Sequence, residues 1–384
     1  MKPTFYEFFA GGGMARAGLE PDWQCVFAND NDPKKAASYV ANWGNNEFRL
    51  GDVFDLNAPD LPGEADLAWA SFPCQDLSLA GNGGGLDAKH SSAFWGFHDL
   101  IYGLKMRGRA PRLLVLENVG GTVTSKDGRD FETICRALKE LGYVYGAMML
   151  DAVHFVPQSR PRLFVVAVRC DLEQPASSFA DSPSKLWTSD ALKISYARLR
   201  PDLRKAWRWW QLRAPAIRTT ELADVIVDDP TDVGWHSQAE TQRLLSLMAP
   251  QNVRKVEAAK SKGHRVVGTI YKRTRRNDAG IKTQRAEVRF DNISGCLRTP
   301  AGGSSRQTII VVDGDLVRTR LLSTKEAARL MGLGDYTLPT RYNEAYHLLG
   351  DGVAVPVVRH LSSFLLQPIL NAIKIPAEAL VAAE

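Results

Sequence analysis

Three short stretches carry side chains suited to covalent and acid–base chemistry. In Ser71-Phe72-Pro73-Cys74-Gln75-Asp76-Leu77-Ser78, a cysteine follows a proline at the exit of the apolar run 65–70. A lone cysteine is ordinarily a small buried hydrophobe. At a strand end, with the glycine-rich stretch 81–85 beyond it, the thiol can be exposed, fixed in direction and covered later by a closing loop, as a nucleophile requires. Farther along, Glu117-Asn118-Val119 ends the apolar run 113–116. Partial desolvation there favours the protonated carboxyl, which can hold or give a proton. Gln158-Ser159-Arg160-Pro161-Arg162 then precedes a strand over 163–168. Period-two alternation puts Arg160 and Arg162 on one face, able to bind a carbonyl oxygen, a carboxylate or phosphates, or to pair with Glu117.

A second group suits a nucleoside. Phe8-Phe9-Ala10-Gly11-Gly12-Gly13 closes one strand and opens a helix, and glycines there let a ligand approach the backbone. The pattern stops short of G-x-G-x-x-G because Arg16 stands at the last glycine. Asp30 ends the second strand, placed for ribose hydroxyls. Asp52, in Gly51-Asp52-Val53, ends a possible third strand, placed for an adenine amino group. Either carboxylate can equally cap a helix. Together the three strand ends predict an adenosyl compound.

These residues need a frame that brings strand ends to one edge. Strands are predicted over 4–10, 23–29, 65–71, 112–117 and 163–169, and helices over 14–19, 33–42, 94–106 and 131–141. This alternation predicts an α/β fold: a Rossmann-like, doubly wound, mostly parallel sheet whose ligands sit beyond the carboxyl ends of its strands. After residue 171 the rhythm is lost, and Trp207, Trp209 and Trp210 cluster. Between 251 and 289 twelve basic residues face three acidic ones, a net +9 in a chain of +5. Arg273, Arg275 and Arg276 mark the centre of this patch, which suits phosphate neutralisation or a solvated linker equally. Helices return at 325–331 and 355–373.

The chain has 384 residues, 45% of them hydrophobic, enough for a large domain and a smaller one. No apolar run is expected to reach membrane length, and the N-terminus reads as a strand rather than a signal peptide. Cysteines 25, 74, 135, 170 and 296 are widely spaced, so neither a disulfide framework nor a metal site is expected, and a reducing cytosol fits.

The motifs Phe9-Ala10-Gly11-Gly12-Gly13, Gly51-Asp52-Val53, Pro73-Cys74-Gln75, Glu117-Asn118-Val119 and Gln158-Ser159-Arg160-Pro161-Arg162 occur in the order of the cytosine-C5 DNA methyltransferase family, which the chain resembles. Ser323-Thr324-Lys325-Glu326-Ala327-Ala328-Arg329-Leu330-Met331-Gly332 and Gly350-Asp351-Gly352-Val353 resemble that family's last two motifs. The resemblance covers about 1–170 and 295–370. It implies a catalytic domain over 1–180, a smaller irregular target recognition domain over 181–320, and a hinge with C-terminal helices over 321–384. It further implies that Cys74 attacks C6 of a cytosine flipped out of duplex DNA, that Glu117 holds N3, and that Arg162 binds O2, with Arg160 beside it. S-adenosylmethionine becomes the methyl donor and S-adenosylhomocysteine the product. Phe9, Ala10, Gly11, Gly13, Asp30, Asn31, Asp52, Val53 and Pro73 become cofactor contacts. Gln75, Ser78, Arg273, Arg275, Arg276 and Arg298 become DNA contacts. A monomer in a prokaryotic cytoplasm, associated with the nucleoid, is implied, with a cognate restriction endonuclease as a candidate functional partner.

The sequence departs from the family at Met14 for a glycine, Asp30-Asn31 for Glu-Trp, and Asp351 for an asparagine; the usual arginine after Cys74 is also missing. Three rival readings are a tRNA-methylating relative, a catalytically inactive DNA-binding relative, and a nicotinamide-dependent oxidoreductase. The long basic middle segment argues against the first. Retention of Cys74, Glu117 and Arg162 together argues against the second, and the incomplete glycine fingerprint against the third.

Overall fold

The structure, a computed structural model, describes residues 1–73, 93–276, 280, 282–299 and 306–373, with backbone alone at Arg275 and Arg276. The chain divides into two compact units. One comprises Met1–Asp151, Pro161–Pro215 and Val357–Glu384, the other Ala152–Arg160 and Ala216–Pro356.

The first unit is built on seven strands: β1 (Thr4–Phe8), β2 (Gln24–Asp30), β3 (Phe48–Leu50), β4 (Leu67–Ala70), β5 (Leu113–Val119), β6 (Tyr143–Asp151) and β7 (Pro161–Arg169). They lie in the order β3-β2-β1-β4-β5-β7-β6. β1 to β5 pair in parallel, whereas β7 is antiparallel to both β5 and β6. Helices α1 (Met14–Leu19), α2 (Pro33–Trp43), α3 (Ala93–Lys105) and α4 (Arg129–Glu140) intervene between strands. The doubly wound, mostly parallel sheet is the predicted one. All four residues of β4 are fully buried, as expected of a strand covered on both faces. On one face of β1, Phe8 packs edge-on against Phe97 of α3 at 5.3 Å.

Two features were not foreseen. β6 is absent from the predicted strands because Gly146 interrupts its β-branched and aromatic pattern. That glycine answers a close approach, since a Cβ there would lie 1.8 Å from the Arg208 carbonyl oxygen. The backbone of Tyr145 exchanges hydrogen bonds with Ala206 and Arg208, with β8 (Phe179–Ala180) and β9 (Trp209–Trp210) alongside as a short ribbon. The indole cluster therefore sits on the first unit, where Trp207 meets Phe131 and Tyr196 at 6.0 and 5.2 Å. Residues 171–215 group with this unit, while the sequence predicts a new domain from 181.

The second unit carries an antiparallel sheet in the order β11-β10-β12-β13, formed by β10 (Val266–Arg276), β11 (Lys282–Arg289), β12 (Thr308–Asp313) and β13 (Leu316–Leu321). Ile270, Ala286, Val288, Ile310 and Val312 turn one face into its core with Leu244, Met248 and Val256. The expectation that no stretch reaches membrane length is corrected at Tyr342–Ala372, which is long and apolar enough by composition. Its apolar window is 67% buried inside the protein, so its side chains serve as core.

Candidate active site

The carboxyl ends of the parallel strands are tied together by side chains standing at those ends. Asp30, closing β2, accepts from Gly11 N at 2.8 Å and from Asp32 N at 2.9 Å. Asn29 donates to the carbonyls of Arg49 and Gly51, both at 2.9 Å, tying β2 to the exit of β3. Asn118, closing β5, donates to the Phe72 carbonyl at 3.0 Å, and its Oδ1 accepts from Val119 N and Thr122 Oγ1. This clamp fixes the backbone that leaves β4 toward position 74. Cys74, Gln75 and Ser78 themselves lie outside the described residues; Pro73, the last described before them, is exposed.

Glu117 is 6% exposed, and its Oε1 lies 3.3 Å from Nε of Arg162. The reversed direction of β7 brings them together. A parallel strand would start at the opposite edge, but β7 begins at the carboxyl edge, with Arg162 in register with Val119. Glu117 stands two residues before Val119 on the same face. The expected side-by-side placement of Arg160 and Arg162 along one strand is corrected, because β7 starts at Pro161. Arg160, 1% exposed, donates instead to the carbonyls of Leu297, Gly350 and Gly352 at 2.9, 2.8 and 2.5 Å. It clamps the Gly350-Asp351-Gly352 turn, and Gln158 beside it accepts from Leu297 N and donates to the Leu330 carbonyl. Arg160→Met should strand those carbonyls and cost about 3 kcal/mol or more, read by urea unfolding.

The glycine turn is an open cradle. Phe9 and Gly11 both have φ of 56°, and Gly13 has 77°. A Cβ on Gly11 would meet nothing within 4 Å, whereas one on Gly13 would strike Trp43 at 2.3 Å. Trp43 Nε1 donates to the Gly12 carbonyl at 3.1 Å, bracing the turn from α2. Ala10 and Val53 are buried, and Asn31 and Asp52 exposed. Asp52 Oδ1 accepts from Phe54 N at 3.1 Å, the capping role considered from sequence. Burial raises the Asp30 carboxyl above its ordinary range, against the pull of its two backbone donors. The glycine turn and Asp30 are thus directly bonded to one another, and Asn29 ties the Gly51-Asp52 exit alongside.

Sequence reasoning passed over Glu7, although a carboxylate inside an apolar strand is itself a signal. Its Oε1 accepts from Arg16 N at 3.2 Å, and its Oε2 has no hydrogen-bond partner among the described residues. Burial pushes its pKa from 4.5 up to about 8. The folded state therefore binds this proton more tightly than the unfolded chain. That stabilisation is complete below about 4.5 and is lost as pH rises through about 8. Thermal melts across that window should show Glu7→Gln flattening the loss; equal slopes in both proteins would refute it.

In the second unit, β10 pairs with β11 from Thr269 to Arg276, but with β12 only over residues 266–270. Residues 271–276 and 282–287 thus form a two-stranded ribbon beyond the sheet. Arg273 stands opposite Arg285, is 48% exposed, and lies 3.5 Å from Glu287. Arg275 and Arg276 pair in register with Thr283 and Lys282, and their side chains lie outside the described residues. Arg298 is exposed, on the segment before Thr299 rather than on the ribbon.

A model of the family described as C-5 cytosine-specific DNA methylase matches residues 3–366. The chain is 25% identical over 362 residues to Type II methyltransferase M.HhaI of Haemophilus parahaemolyticus, covering 93% of this chain and 92% of that protein. It is 36% identical over 174 residues to Type II methyltransferase M.BsuFI of Bacillus subtilis, where the match covers 45% of this chain but only 41% of the relative. Among solved structures it resembles the Entamoeba histolytica methyltransferase EhMeth, with a TM-score of 0.61 and 13% identity over 96% and 98% of the two chains. At that identity the likeness is one of fold.

Proposed function

The chain belongs to the C-5 cytosine-specific DNA methylase family, and from that premise we propose that it methylates C5 of a cytosine flipped out of duplex DNA, through a covalent bond from Cys74 to C6. The observation that carries this reading is the Glu117–Arg162 pair, 3.3 Å apart at the exit of β5. The neighbouring Asn118 clamps the chain two residues before Cys74.

C5 of cytosine is a poor nucleophile until C6 is saturated, so covalent attack comes first. The Cys74 thiolate adds to C6, and its electron pair pushes charge into the ring. Glu117 holds a proton at N3 and the Arg162 guanidinium donates to O2, so both ends of the developing charge meet a fixed partner. Flipping is needed because C6 is stacked inside the duplex. When bound, S-adenosylmethionine supplies the electrophilic methyl group. Loss of the C5 proton and expulsion of the Cys74 thiolate complete the turnover. The cofactor is accommodated by the open face of Gly11, the buried Asp30 carboxylate for ribose hydroxyls, and Asp52 with Val53 and Phe9 for the adenine.

A two-stranded ribbon fits the major groove of DNA, and the β10–β11 extension with Arg273 and Arg285 suits that task. Arg273→Gln with Arg285→Gln should lower the slope of log affinity against log salt by about 1–2. An unchanged slope in filter-binding titrations would place the ribbon off the DNA. The Type II names of the relatives support a role beside a restriction endonuclease.

Methyl incorporation into duplex DNA and into tRNA, followed by bisulfite sequencing of the DNA product, tests the whole reading. Label in DNA at one cytosine context supports it, whereas label in RNA alone overturns it. Duplex DNA bearing 5-fluorocytosine at that position should form a denaturation-resistant adduct, because fluorine blocks the final elimination. Absence of any adduct on a gel would remove Cys74 from the chemistry.

A further inference from the structure

In the second unit, Gly295 is a glycine for want of room. Its φ lies outside the left-handed region, so the backbone conformation does not demand one. A Cβ there would fall 1.0 Å from the Tyr271 hydroxyl oxygen and 2.0 Å from Cζ, so the phenol fills the space of a side chain. Tyr271 belongs to β10, the strand that continues into the ribbon. Ile270 turns into the core, so alternation puts Tyr271 and Arg273 together on the other face. The Arg273 guanidinium lies over the Tyr271 ring at 5.8 Å. Across the ladder, Glu287 stands opposite Tyr271 and Arg285 opposite Arg273.

The segment that receives the phenol is bonded to the residues leading into β7. Ser294, fully buried, donates from its N to the Pro157 carbonyl at 2.8 Å, and its carbonyl accepts from Ser159 N at 2.9 Å. Leu297 N donates to Gln158 Oε1 at 3.0 Å, and the Leu297 carbonyl accepts from Arg160 at 2.9 Å. Residues 294–297 are therefore held both by residues 157–160 and by Tyr271. All of these contacts fall within the second unit, whose segment Ala152–Arg160 ends where Pro161 opens β7. Two peptide bonds then lead from Arg160 to Arg162. One side chain thus joins the strand proposed to read DNA to the segment from which the proposed O2-binding arginine departs.

We propose that Tyr271 is a positioning residue that couples engagement of the ribbon by DNA to the placement of Arg162, an inference that rests on the function proposed above. DNA that draws on Arg273 bears on the ring beneath it. The phenol fixes Gly295 and, through Ser294 and Leu297, the residues that lead into β7. Such a coupling is a free-energy difference between two arrangements of one contiguous set of contacts.

The rate constant of adduct formation on saturating 5-fluorocytosine duplex tests this, because it counts only folded, competent molecules whatever the final amplitude. Tyr271→Leu should slow it by about tenfold, within the range usual for coupling between sites, with duplex Kd changed by no more than about threefold. Gly295→Ala should do the same, since its methyl displaces the phenol. The double variant should be no slower than either single one, because both remove one contact. Arg273→Gln should slow the native protein but not Tyr271→Leu. A near-native rate constant in Tyr271→Leu or Gly295→Ala, even with lowered stability, would reduce the contact to packing and overturn the proposal. Losses that multiply, or equal slowing by Arg273→Gln in both backgrounds, would overturn it as well. Amide exchange gives a readout that needs no chemistry. Duplex DNA should slow exchange at Ser159, Arg160 and Arg162 by about threefold or more in the native protein and leave it unchanged in Tyr271→Leu. Equal protection in both proteins overturns the coupling, whereas absence of any adduct with the native protein counts against the proposed function itself.

Discussion

Cys74→Ser is expected to abolish methyl transfer, with a rate loss of about 10⁴-fold or more, because a serine hydroxyl without a strong adjacent base is a far weaker nucleophile than a thiolate. The substitution exchanges sulfur for oxygen and alters no main-chain atom. The chain before it remains held by the Asn118–Phe72 bond and by packing of Phe72 on Phe94 at 5.3 Å. DNA binding should therefore stay within a few-fold of native, since phosphate and groove contacts supply it. Single-turnover methyl incorporation and a binding titration on the same preparation check both halves. Substantial residual turnover would reassign the nucleophile.

The second large effect is expected at Glu117. Glu117→Gln keeps the volume and an oxygen for Arg162 but can no longer exchange a proton with N3, so turnover should fall by about 10²–10⁴-fold. Arg162→Lys is the informative companion. Lysine keeps the positive charge but lacks the planar fork that can hold Glu117 and a carbonyl oxygen together, so it should lose most of the same activity. Both residues are largely buried at their side chains, 8% and 15% exposed, so circular dichroism melts should accompany the kinetics. If Glu117→Gln retained near-native turnover with normal stability, proton holding at N3 would have to be assigned elsewhere.

The contrast between Arg160 and Arg162 shows how far alternation along a chain can be trusted. Two arginines two positions apart share a face only if both belong to one strand, and the proline between them marks where β7 begins. Arg162 then meets Glu117, while Arg160 meets carbonyls as far as 192 residues away in sequence. Glu7 makes a related point. Its strand was legible, but its partners come from α1 and from what packs over that face, so its elevated pKa was not.

By itself the sequence determined the chemistry on offer: a glycine turn, Asp30, Asp52, Cys74, Glu117 and Arg162, each at the end or start of an apolar run. Such runs are local, and their period declares strand or helix without reference to distant residues. The tertiary structure alone decided the neighbours. It set the strand order, inserted β7 antiparallel between β5 and β6 so that Arg162 reaches Glu117, placed 171–215 with the first unit, and seated the Tyr271 phenol on Gly295. A strand's own alternation says which side chains share a face, but not which strand lies beside it or in which direction that strand runs.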